Sequence, residues 1–423
     1  MISQLFTKHI TTVLHNLFNR DGVAFDSLII SSGTSQFYDS DDQGIPFRTI
    51  PYFRYFCALT GPNHFLILKK GEKPTLIIVK PEDFWYDHER ETNPFWEKDF
   101  RINEVLSLEH AYEILKKDSV INFIGDESAC IKFKEKFPEA VCNTPEIIQV
   151  ISELRTRKTS YEIYCIEQAN KIAGSGHTLA LQKFMDGGSE LDIHHTYLIG
   201  SKTTEESLPY PAITALNEKT SVLHYQNKKL IKNGSVCLID AGANYFGYAS
   251  DITRTWVNSN FKLPASNFQA ILSSLTILQQ QLCGHVRAGI LTSDLQAEAH
   301  IGIAHILYEH HIITVDGNNT IHTKLTKTFL PHSLGHFLGI QVHDVGMRRP
   351  SHTLEINNVI TVEPGIYFIP SLLKKLKESP ENKYVNWNIV ETLVPYGGMR
   401  IEDDILITEN GPQNLTRPWC PNL

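Results

Sequence analysis

The chain has 423 residues, a formal net charge of −8, 42% hydrophobic residues and 20% charged residues. This length predicts two domains. The acidic balance, without a basic stripe, argues against nucleic acid as the main partner. No stretch approaches the roughly 18 apolar residues that a membrane span needs. We therefore expect neither nucleic acid nor a membrane as a partner.

The first 20 residues have the pattern of an amphipathic helix and lack the continuous apolar segment and cleavage site of a signal peptide. The sequence contains seven cysteines, an odd number, and none has CxxC spacing. Free thiols in a reducing compartment fit this pattern. We therefore expect a cytoplasmic protein.

Residues 1–155 are predicted to form an α/β domain. Short apolar runs bounded by turn residues alternate with helical patterns, which predicts a mixed sheet covered by helices. The runs are Ser27–Ile30, Phe65–Leu68, Thr75–Val79 and Val120–Ile124. An aromatic and acidic patch occupies Phe37–Asp42 and Phe84–Tyr86, and core and loop packing alone would account for it.

Residues 156–423 are predicted to form a second, α+β domain, in which helices pack on a curved antiparallel sheet. Thr159 and Glu162 have the spacing of a capping box, and a helical pattern follows to Met185. Ser189 is a candidate cap for the next helix. Two further helical patterns cover about 265–286 and 293–310, and Ser293 and Gln296 form another candidate capping box.

Two acids lie eleven positions apart in strand-like sequence. Asp240 directly follows the apolar run Val236–Ile239, and Asp251 precedes the β-branched and aromatic run Thr253–Val257. Because Asn244–Gly247 has turn chemistry, a hairpin or a bent ribbon would bring the two carboxylates side by side. Such a pair needs a proton or cations between them. The alternative is that each aspartate hydrogen-bonds the backbone of its own turn.

Three histidines, His332, His336 and His343, lie within twelve positions among glycines and apolar residues. A single histidine there would be more typical of a core residue, but three together suit metal binding or proton transfer. Gly335 and Gly339 would allow backbone or ligand to approach closely.

Two glutamates lie next to or within apolar strand-like runs. Glu363 directly follows Val359–Val362, and Glu402 lies in the later run 397–407. Burying such carboxylates is costly unless they are paired or bind metal. Two aspartates, a histidine and two glutamates suit two divalent ions, with Mn²⁺ or Co²⁺ favoured and Zn²⁺ as an alternative. Ion pairs with Arg254 or Arg400 are the other interpretation.

In their order along the chain, these five residues resemble the ligand pattern of the pita-bread metallopeptidases. The neighbouring motifs resemble the Xaa-Pro peptidase branch, and within it the bacterial Xaa-Pro dipeptidases (prolidases), over essentially the whole length. They are Leu223–Tyr225, Asp251–Trp256, Gly335–His336, Val342–Asp344, Val362–Gly365 and Arg400–Glu402. The resemblance implies a pita-bread catalytic domain, preceded by a smaller N-terminal domain, and a homodimer.

The resemblance also implies a role for each residue of the site. Asp240, Asp251, His336, Glu363 and Glu402 would bind two metal ions, with Asp251 and Glu402 bridging them. Glu363 would also handle the proton of the bridging hydroxide. His224 and His343 would contact the substrate carbonyl or carboxylate and stabilise the tetrahedral intermediate. His332, the third predicted catalytic histidine, would support a metal ligand or line the pocket.

Further substrate contacts follow from the same resemblance. Tyr210 would close the pocket, Arg400 would orient Glu402 or hold the substrate carboxylate, and Asp41 or Asp42 and Trp85 would reach a neighbouring subunit's site. The segment 347–362 is shorter than the corresponding loop of bacterial prolidases, which carries a carboxylate-binding arginine. Arg348 or Arg349 would take its place.

The sequence therefore predicts a dinuclear metal-dependent hydrolase that cleaves Xaa-Pro dipeptides by attack of a metal-bridging hydroxide. Phosphotriester hydrolysis is an expected side activity. The nearest alternative is an aminopeptidase P that removes the N-terminal residue from longer X-Pro peptides. A third hypothesis, from a different class, is a metal-free protein of the same fold that acts as a creatine-type hydrolase or a binding module.

Overall fold

The computed structural model describes residues 1–20, 25–87, 92–117, 121–261, 266–316, 322–346 and 351–420. The chain divides into two compact units. Unit 1 consists of Met1–Arg155 with Thr159–Tyr161, and unit 2 consists of Thr156–Lys158 with Glu162–Leu423. In the described part of the chain, no helix is long and apolar enough to cross a bilayer.

Unit 1 combines helices with one sheet. Its helices are α1 (Ile2–Phe18), α2 (Pro51–Phe56), α3 (Leu108–Leu115), α4 (Glu127–Lys136) and α5 (Pro145–Thr156). Its strands are β1 (Ser27–Ser31), β2 (Phe65–Lys69), β3 (Thr75–Val79), β4 (Arg101–Val105), β5 (Asn122–Ile124) and β6 (Val141–Cys142). A short 3-10 helix spans Glu97–Asp99.

The sheet of unit 1 is mixed, as predicted, with strand order β4-β3-β2-β1-β5-β6. β1 and β3 run antiparallel to β2, whereas β3–β4, β1–β5 and β5–β6 are parallel pairs. Consecutive residues of β1, Leu28 to Ile30, are completely buried. Successive side chains of a strand point to opposite faces, so both faces are covered. One face packs on α3 and α4 through Tyr112 and Phe133.

Unit 2 has seven helices and ten strands among its described residues. The helices are α6 (Ser160–Met185), α7 (Glu190–Ser201), α8 (Ser266–His285), α9 (Thr292–Glu309), α10 (His322–Phe329), α11 (Pro370–Lys377) and α12 (Trp387–Leu393). The strands are β7 (Ile213–Leu216), β8 (Val236–Asp240), β9 (Asn244–Tyr245), β10 (Tyr248–Ala249), β11 (Thr253–Val257), β12 (Val359–Val362), β13 (Gly365–Tyr367), β14 (Gly398–Arg400), β15 (Asp403–Thr408) and β16 (Gly411–Asn414). Short 3-10 helices span Glu205–Ser207, Asn217–Ser221, Pro380–Tyr384 and Val394–Tyr396.

Every strand pair described in unit 2 is antiparallel, as predicted. The strand orders are β11-β8-β7, β12-β15-β16, β13-β14 and β10-β9. Hydrogen bonds join these small sheets into one layer. Glu402 N donates to Thr253 O at 3.1 Å, and Arg400 N donates to Thr255 Oγ1 at 3.0 Å. The residues that follow β8, β12 and β14 therefore meet in one region.

Helices α8, α9 and α10 cover this layer with the main apolar core of unit 2. Leu282 of α8, Leu307 of α9 and Phe329 of α10 are completely buried in one cluster with Ile405 of β15. The helices are amphipathic and the strands present apolar side chains towards them, so burial of these residues holds the site's scaffold in place.

The helix starts test the predicted caps. α7 begins after Ser189, whose Oγ accepts from Asp192 N while Asp192 Oδ2 accepts from Ser189 N, so the predicted cap is confirmed. The predicted capping box of Ser293 and Gln296 is wrong. α9 starts earlier, with Leu291 as its N-cap, and Gln296 Oε1 instead accepts from Leu334 N at 2.6 Å.

All seven cysteines are free thiols, as predicted: Cys57, Cys130, Cys142, Cys165, Cys237, Cys283 and Cys420. The cytoplasmic location inferred from them stays a prediction.

Candidate active site

Two paired strands position Asp240 and Asp251. β8 ends at Asp240, whose register partner in β11 is Thr253. Between them, the β9–β10 hairpin turns at Phe246 and Gly247, both with positive φ, at 48° and 91°, as a type I′ turn requires. The hairpin alternative is therefore confirmed, and both carboxylates line one cleft.

His336 enters the cleft from the segment between α10 and β12. Thr361 N donates to His336 O at 2.9 Å, and a Cβ added at Gly335 would lie 1.9 Å from Thr361 O, so only glycine permits this approach. His336 Nδ1 lies 3.1 Å from Phe337 O. Because a carbonyl can only accept, Nδ1 carries the proton. The other nitrogen, Nε2, therefore faces Asp251 Oδ2 at 3.3 Å.

Two glutamates complete the acidic wall of the cleft. Glu363 follows β12, and its Oε1 lies 3.6 Å from His336 Nε2. Glu402, between β14 and β15, is buried, and its Oε2 accepts from Thr253 Oγ1 at 2.6 Å. Ligand atoms of Asp251, His336 and Glu402 all lie within 4.8 Å of one another, so one cation could contact all three.

The pKa values of this cluster indicate a shortage of positive charge. Burial, with repulsion from Asp251, raises the pKa of Glu402 well above its ordinary value. Burial raises the pKa of Glu363 to about 7, although His336 and Arg400 oppose the increase. Burial lowers the pKa of His336, but Asp251 and Glu363 outweigh it and raise that pKa to about 9. Divalent cations would supply the missing charge.

The donor set also fits a divalent cation chemically. Carboxylate oxygens and one imidazole nitrogen suit Mn²⁺, Co²⁺ and Zn²⁺. The carbonyl of Phe337 fixes the tautomer of His336, as hydrogen-bond acceptors behind metal-binding histidines commonly do. Asp240 and Glu363 line the same cleft and would add two further carboxylates.

Arg400 lies against one side of the cluster, with its donor groups engaged inside the protein. Nη2 donates to Asp240 Oδ2 at 2.5 Å, Nη1 to Tyr367 Oη at 2.8 Å and Nε to Thr253 Oγ1 at 3.0 Å. Because Thr253 Oγ1 donates to Glu402, Arg400 reaches that glutamate through one hydroxyl. Its predicted contact with the substrate carboxylate stays a prediction.

A buried polar network holds the backbone behind the acids. Asp404 Oδ2 accepts from Asp251 N at 3.1 Å and from Asn170 Nδ2 at 2.8 Å. Arg254 Nη1 donates to Glu402 O at 2.7 Å. These bonds fix the main chain of two candidate ligands, and Arg254 acts on Glu402 through its carbonyl, not through its carboxylate.

Three histidines line the cleft beside the acids. The His343 ring stands edge-on to His336, with ring centroids 4.4 Å apart. His332 Nδ1 lies 2.8 Å from Ser333 O, and its Nε2 lies 2.8 Å from the Tyr367 hydroxyl. Burial lowers the pKa of His332 to about 4, so its ring is neutral near pH 7 and Nε2 accepts from Tyr367.

The structure brings most of the predicted site residues into this one cleft, which has a volume of about 340 Å³. Its lining comprises Leu223, His224, Asp240, Asp251, His332, Ser333, Gly335, His336, His343, Glu363, Arg400 and Glu402. All five predicted metal ligands and all three predicted catalytic histidines are in this set.

Three other predicted residues, Tyr210, Asp42 and Trp85, are described but are not among these lining residues. The Tyr210 hydroxyl donates to Asp240 Oδ1 at 2.8 Å, and its role in closing the substrate pocket stays a prediction. Asp42 and Trp85 are exposed on unit 1. Arg348 lies outside the described residues, as does Arg349.

Sequence reasoning missed the residues that support the ligands. Thr253 lies within the motif Asp251–Trp256 and Tyr367 lies two residues after the motif Val362–Gly365, but nothing local marks their hydroxyls as partners of Arg400. Asp404 accepts a hydrogen bond from the amide of Asp251, which lies 153 positions away in the sequence. A polar residue inside a buried strand was the available signal, because such a group must find a partner.

The described cleft can be compared with known proteins. Residues 164–409 match the profile of metallopeptidase family M24, and residues 4–150 match that of the Xaa-Pro dipeptidase N-terminal domain. The Xaa-Pro dipeptidase of Pseudoalteromonas translucida is 34% identical over 441 aligned residues, covering 98% of each chain. That of Shewanella woodyi is 34% identical over 440 aligned residues, covering 97% of each.

Solved structures resemble the whole chain in fold. An aminopeptidase P from Escherichia coli has a TM-score of 0.77 at 23% identity, covering 98% of this chain and 95% of its own. Proline aminopeptidase P II from Yersinia pestis has a TM-score of 0.76 at 23% identity, covering 99% and 97%. The predicted pita-bread fold is confirmed. With its near full-length relatives, the chain belongs to the Xaa-Pro dipeptidase branch of metallopeptidase family M24, and this membership supports a metal-dependent peptidase.

Proposed function

We propose that this protein hydrolyses Xaa-Pro dipeptides, cutting the bond before a C-terminal proline. The observation that carries the proposal is the cleft in which four carboxylates and His336 converge beside three further histidines. Relatives named Xaa-Pro dipeptidase that cover nearly the whole chain support the substrate class. A free dipeptide is small enough for a cleft of this volume.

Two divalent ions are proposed as the cofactor, with Mn²⁺ favoured and Co²⁺ or Zn²⁺ as alternatives. Asp251, His336 and Glu402 would hold one ion, and Asp240 and Glu363 would complete the second site with the shared carboxylates of Asp251 and Glu402. When bound, such ions supply an activated water and polarise the scissile carbonyl.

Glu363 is the proposed proton carrier. Its side chain is held less tightly than that of Glu402, with Thr361 Oγ1 at 3.3 Å and His336 Nε2 at 3.6 Å. It would accept the proton of the attacking water and deliver it to the proline nitrogen. The proline nitrogen must gain this proton before it leaves, because an unprotonated amine anion is too basic to be expelled.

His224 and His343 are the proposed donors to the oxyanion. Both rings are exposed to the cleft. A preorganised donor of this kind contributes about 3 kcal/mol to a transition state that develops negative charge. His332 and Tyr367 would keep Arg400 on Asp240 and so hold the wall of the cleft.

The second candidate is an aminopeptidase P activity on longer X-Pro peptides. The fold similarity to aminopeptidase P structures is compatible with it. Selection for dipeptides requires a group that binds the proline carboxylate. Besides its histidines, the described cleft offers only Arg400, which is already paired with Asp240. Arg348 or Arg349 is the proposed group. We also propose that Asp42 and Trp85 contribute to the site of a neighbouring subunit. Phosphotriester hydrolysis is proposed as a side activity.

A peptide panel tests the function. We expect Gly-Pro and Ala-Pro to be hydrolysed with Mn²⁺ present, with much slower cleavage of Gly-Pro-Ala and none of Gly-Ala. Cleavage of the tripeptide alone would favour the aminopeptidase, and no response to any divalent metal would contradict both candidate functions.

Metal analysis supplies a second measurement. Asp251→Asn should lose both ions because Asp251 is a proposed bridge, whereas Asp240→Asn should lose mainly one.

A further inference from the structure

His224 lies in a short turn. Tyr225 N donates to Val222 O at 3.2 Å, which closes a four-residue turn with His224 in its third position. Its exposed ring lines the cleft, and no protein group in the described chain hydrogen-bonds either ring nitrogen. The position of the ring is therefore set by the main chain of the turn, and whatever fixes this turn also fixes His224.

A buried carboxylate fixes that turn. Glu190, the first residue of α7, is only 2% exposed. Its Oε2 accepts from the Tyr225 hydroxyl at 2.8 Å and from Lys229 N at 2.8 Å, and its Oε1 accepts from Leu216 N at 2.9 Å. One side chain thus joins the end of β7, the residue after His224 and the chain beyond it.

The carboxylate is suited to this task because it only accepts hydrogen bonds and its three partners are all donors. No cation of the described chain forms an ion pair with Glu190, so these donors, with the positive end of the α7 dipole, compensate its burial. The Tyr225 ring packs with Ile213 and Leu238 of the central strands. Tyr225 is therefore anchored at its ring and at its hydroxyl, one residue from His224.

We propose that Glu190 is a positioning residue for the peptidase reaction, holding His224 in the cleft through the hydroxyl of Tyr225 and the amide of Lys229. The proposal rests on the oxyanion role proposed above for His224. Glu190 itself does not line the cleft. Its effect on the reaction must therefore pass through the turn.

A double-mutant cycle tests this coupling. Tyr225→Phe keeps the buried ring and removes only the bond to Glu190, and we expect it to lower kcat about tenfold with little change in KM, since small displacements of a catalytic group cost rate. His224→Ala should lower kcat by about 100-fold. In the His224→Ala background, Tyr225→Phe should change kcat less than about twofold, because the positioned group is gone.

The control separates positioning from general stability. Ile271→Val removes one buried methyl from α8, at a stability cost similar to that of one lost hydrogen bond, and it should leave kcat unchanged in both backgrounds. Equal fold losses for Tyr225→Phe with and without His224 would overturn the inference. The substrate of the cycle is whichever proline peptide the wild-type protein cleaves. If the proposed peptide preference is wrong, the wild-type peptide panel shows it, and the result of the cycle is unaffected.

A spectroscopic measurement needs no turnover. In histidine-labelled protein kept in diamagnetic Zn²⁺, the imidazole Cε1–H signal of His224 is assigned by its loss in His224→Gln. Glu190→Gln replaces one acceptor oxygen with a donor, lies 34 positions from His224 in sequence, and should shift or broaden that signal. Ile271→Val should leave it in place. An unchanged His224 signal in both Glu190→Gln and Tyr225→Phe would contradict the inference independently of any activity.

Discussion

At the scale of single residues, the candidate ligands depend on partners that are not ligands. Thr253 is the clearest case, because its one hydroxyl accepts from Arg400 Nε and donates to Glu402 Oε2. The Thr253 hydroxyl therefore links the guanidinium of Arg400 to the carboxylate of Glu402. Burial disfavours the charged form of this carboxylate. Such partners orient ligands and tune their affinity for metal.

We therefore predict that Thr253→Val weakens divalent metal binding by about 10-fold to 100-fold. Valine keeps the shape of the side chain, but it leaves Glu402 and the Arg400 Nε without their shared hydroxyl. Competition with a chelator measures the affinity. The matched control is Thr255→Val on the same strand, which removes a hydroxyl bonded only to the main chain of Arg400. Equal affinity in the two variants would contradict the prediction.

At the scale of elements, the segment that carries His336 and His343 is held by a buried ion pair. Lys158 Nζ lies 2.8 Å from Asp344 Oδ2, and both side chains are completely or almost completely buried. A Cβ added at Gly339 would lie 2.1 Å from the Asp344 carboxylate and 2.7 Å from Lys158 Nζ. The predicted close approach at Gly339 is therefore made by this ion pair.

Lys158→Met should lower the free energy of unfolding of unit 2 by about 3–5 kcal/mol, because removing one side of a buried ion pair takes away the attraction that offsets the burial of the other charge. Urea unfolding followed by tryptophan fluorescence gives the value. The adjacent residue provides the control: Arg157 pairs with Glu355 at 2.6 Å on the surface, so Arg157→Gln should cost less than about 1 kcal/mol. Similar losses for both variants would argue against a special role of burial.

At the scale of the whole molecule, the sequence predicted what is local and missed what is tertiary. Acids beside or within apolar runs marked Asp240, Asp251, Glu363 and Glu402 as candidate ligands, because a carboxylate in a buried strand needs a partner wherever the strand packs. The turn chemistry of Asn244–Gly247 likewise favoured the hairpin. The mixed sheet of unit 1 and four of its six strands followed from the apolar runs, whereas β4 and β6 were not predicted.

The residues that hold the site could not be found in this way. Glu190 and Tyr225 are 35 positions apart, and Lys158 and Asp344 are 186 apart. Their pairing depends on which faces of α7 and of the His343 segment meet the strands, and periodicity does not specify this. The Ser293 capping box failed for a related reason, since Gln296 has a tertiary partner in Leu334 N that the local motif does not reveal.

The response of unit 1 to acid provides a test at the scale of the whole molecule. His9 on α1 is buried, with Nε2 2.7 Å from Tyr55 O and Nδ1 2.8 Å from Thr159 Oγ1. Burial lowers the pKa of His9 from 6.5 to about 4, although the hydrogen bond to Tyr55 O opposes the change. Below pH 6.5, His9 becomes protonated in the unfolded chain but stays neutral in the folded chain. Stability is therefore lost as the pH falls towards 4.

The difference in the pKa of His9 between the folded and unfolded chains corresponds to a loss of about 3 kcal/mol in unfolding free energy between pH 6.5 and 4. His9→Gln keeps an amide that can donate to Tyr55 O and removes the titration, so its stability at neutral pH should fall while its decline towards pH 4 becomes shallower by about that amount. His15→Gln changes an exposed histidine on the same helix and should follow the wild type. Unfolding free energies measured at a series of pH values compare the three proteins. Parallel curves for wild type and His9→Gln would mean that other groups account for the acid sensitivity.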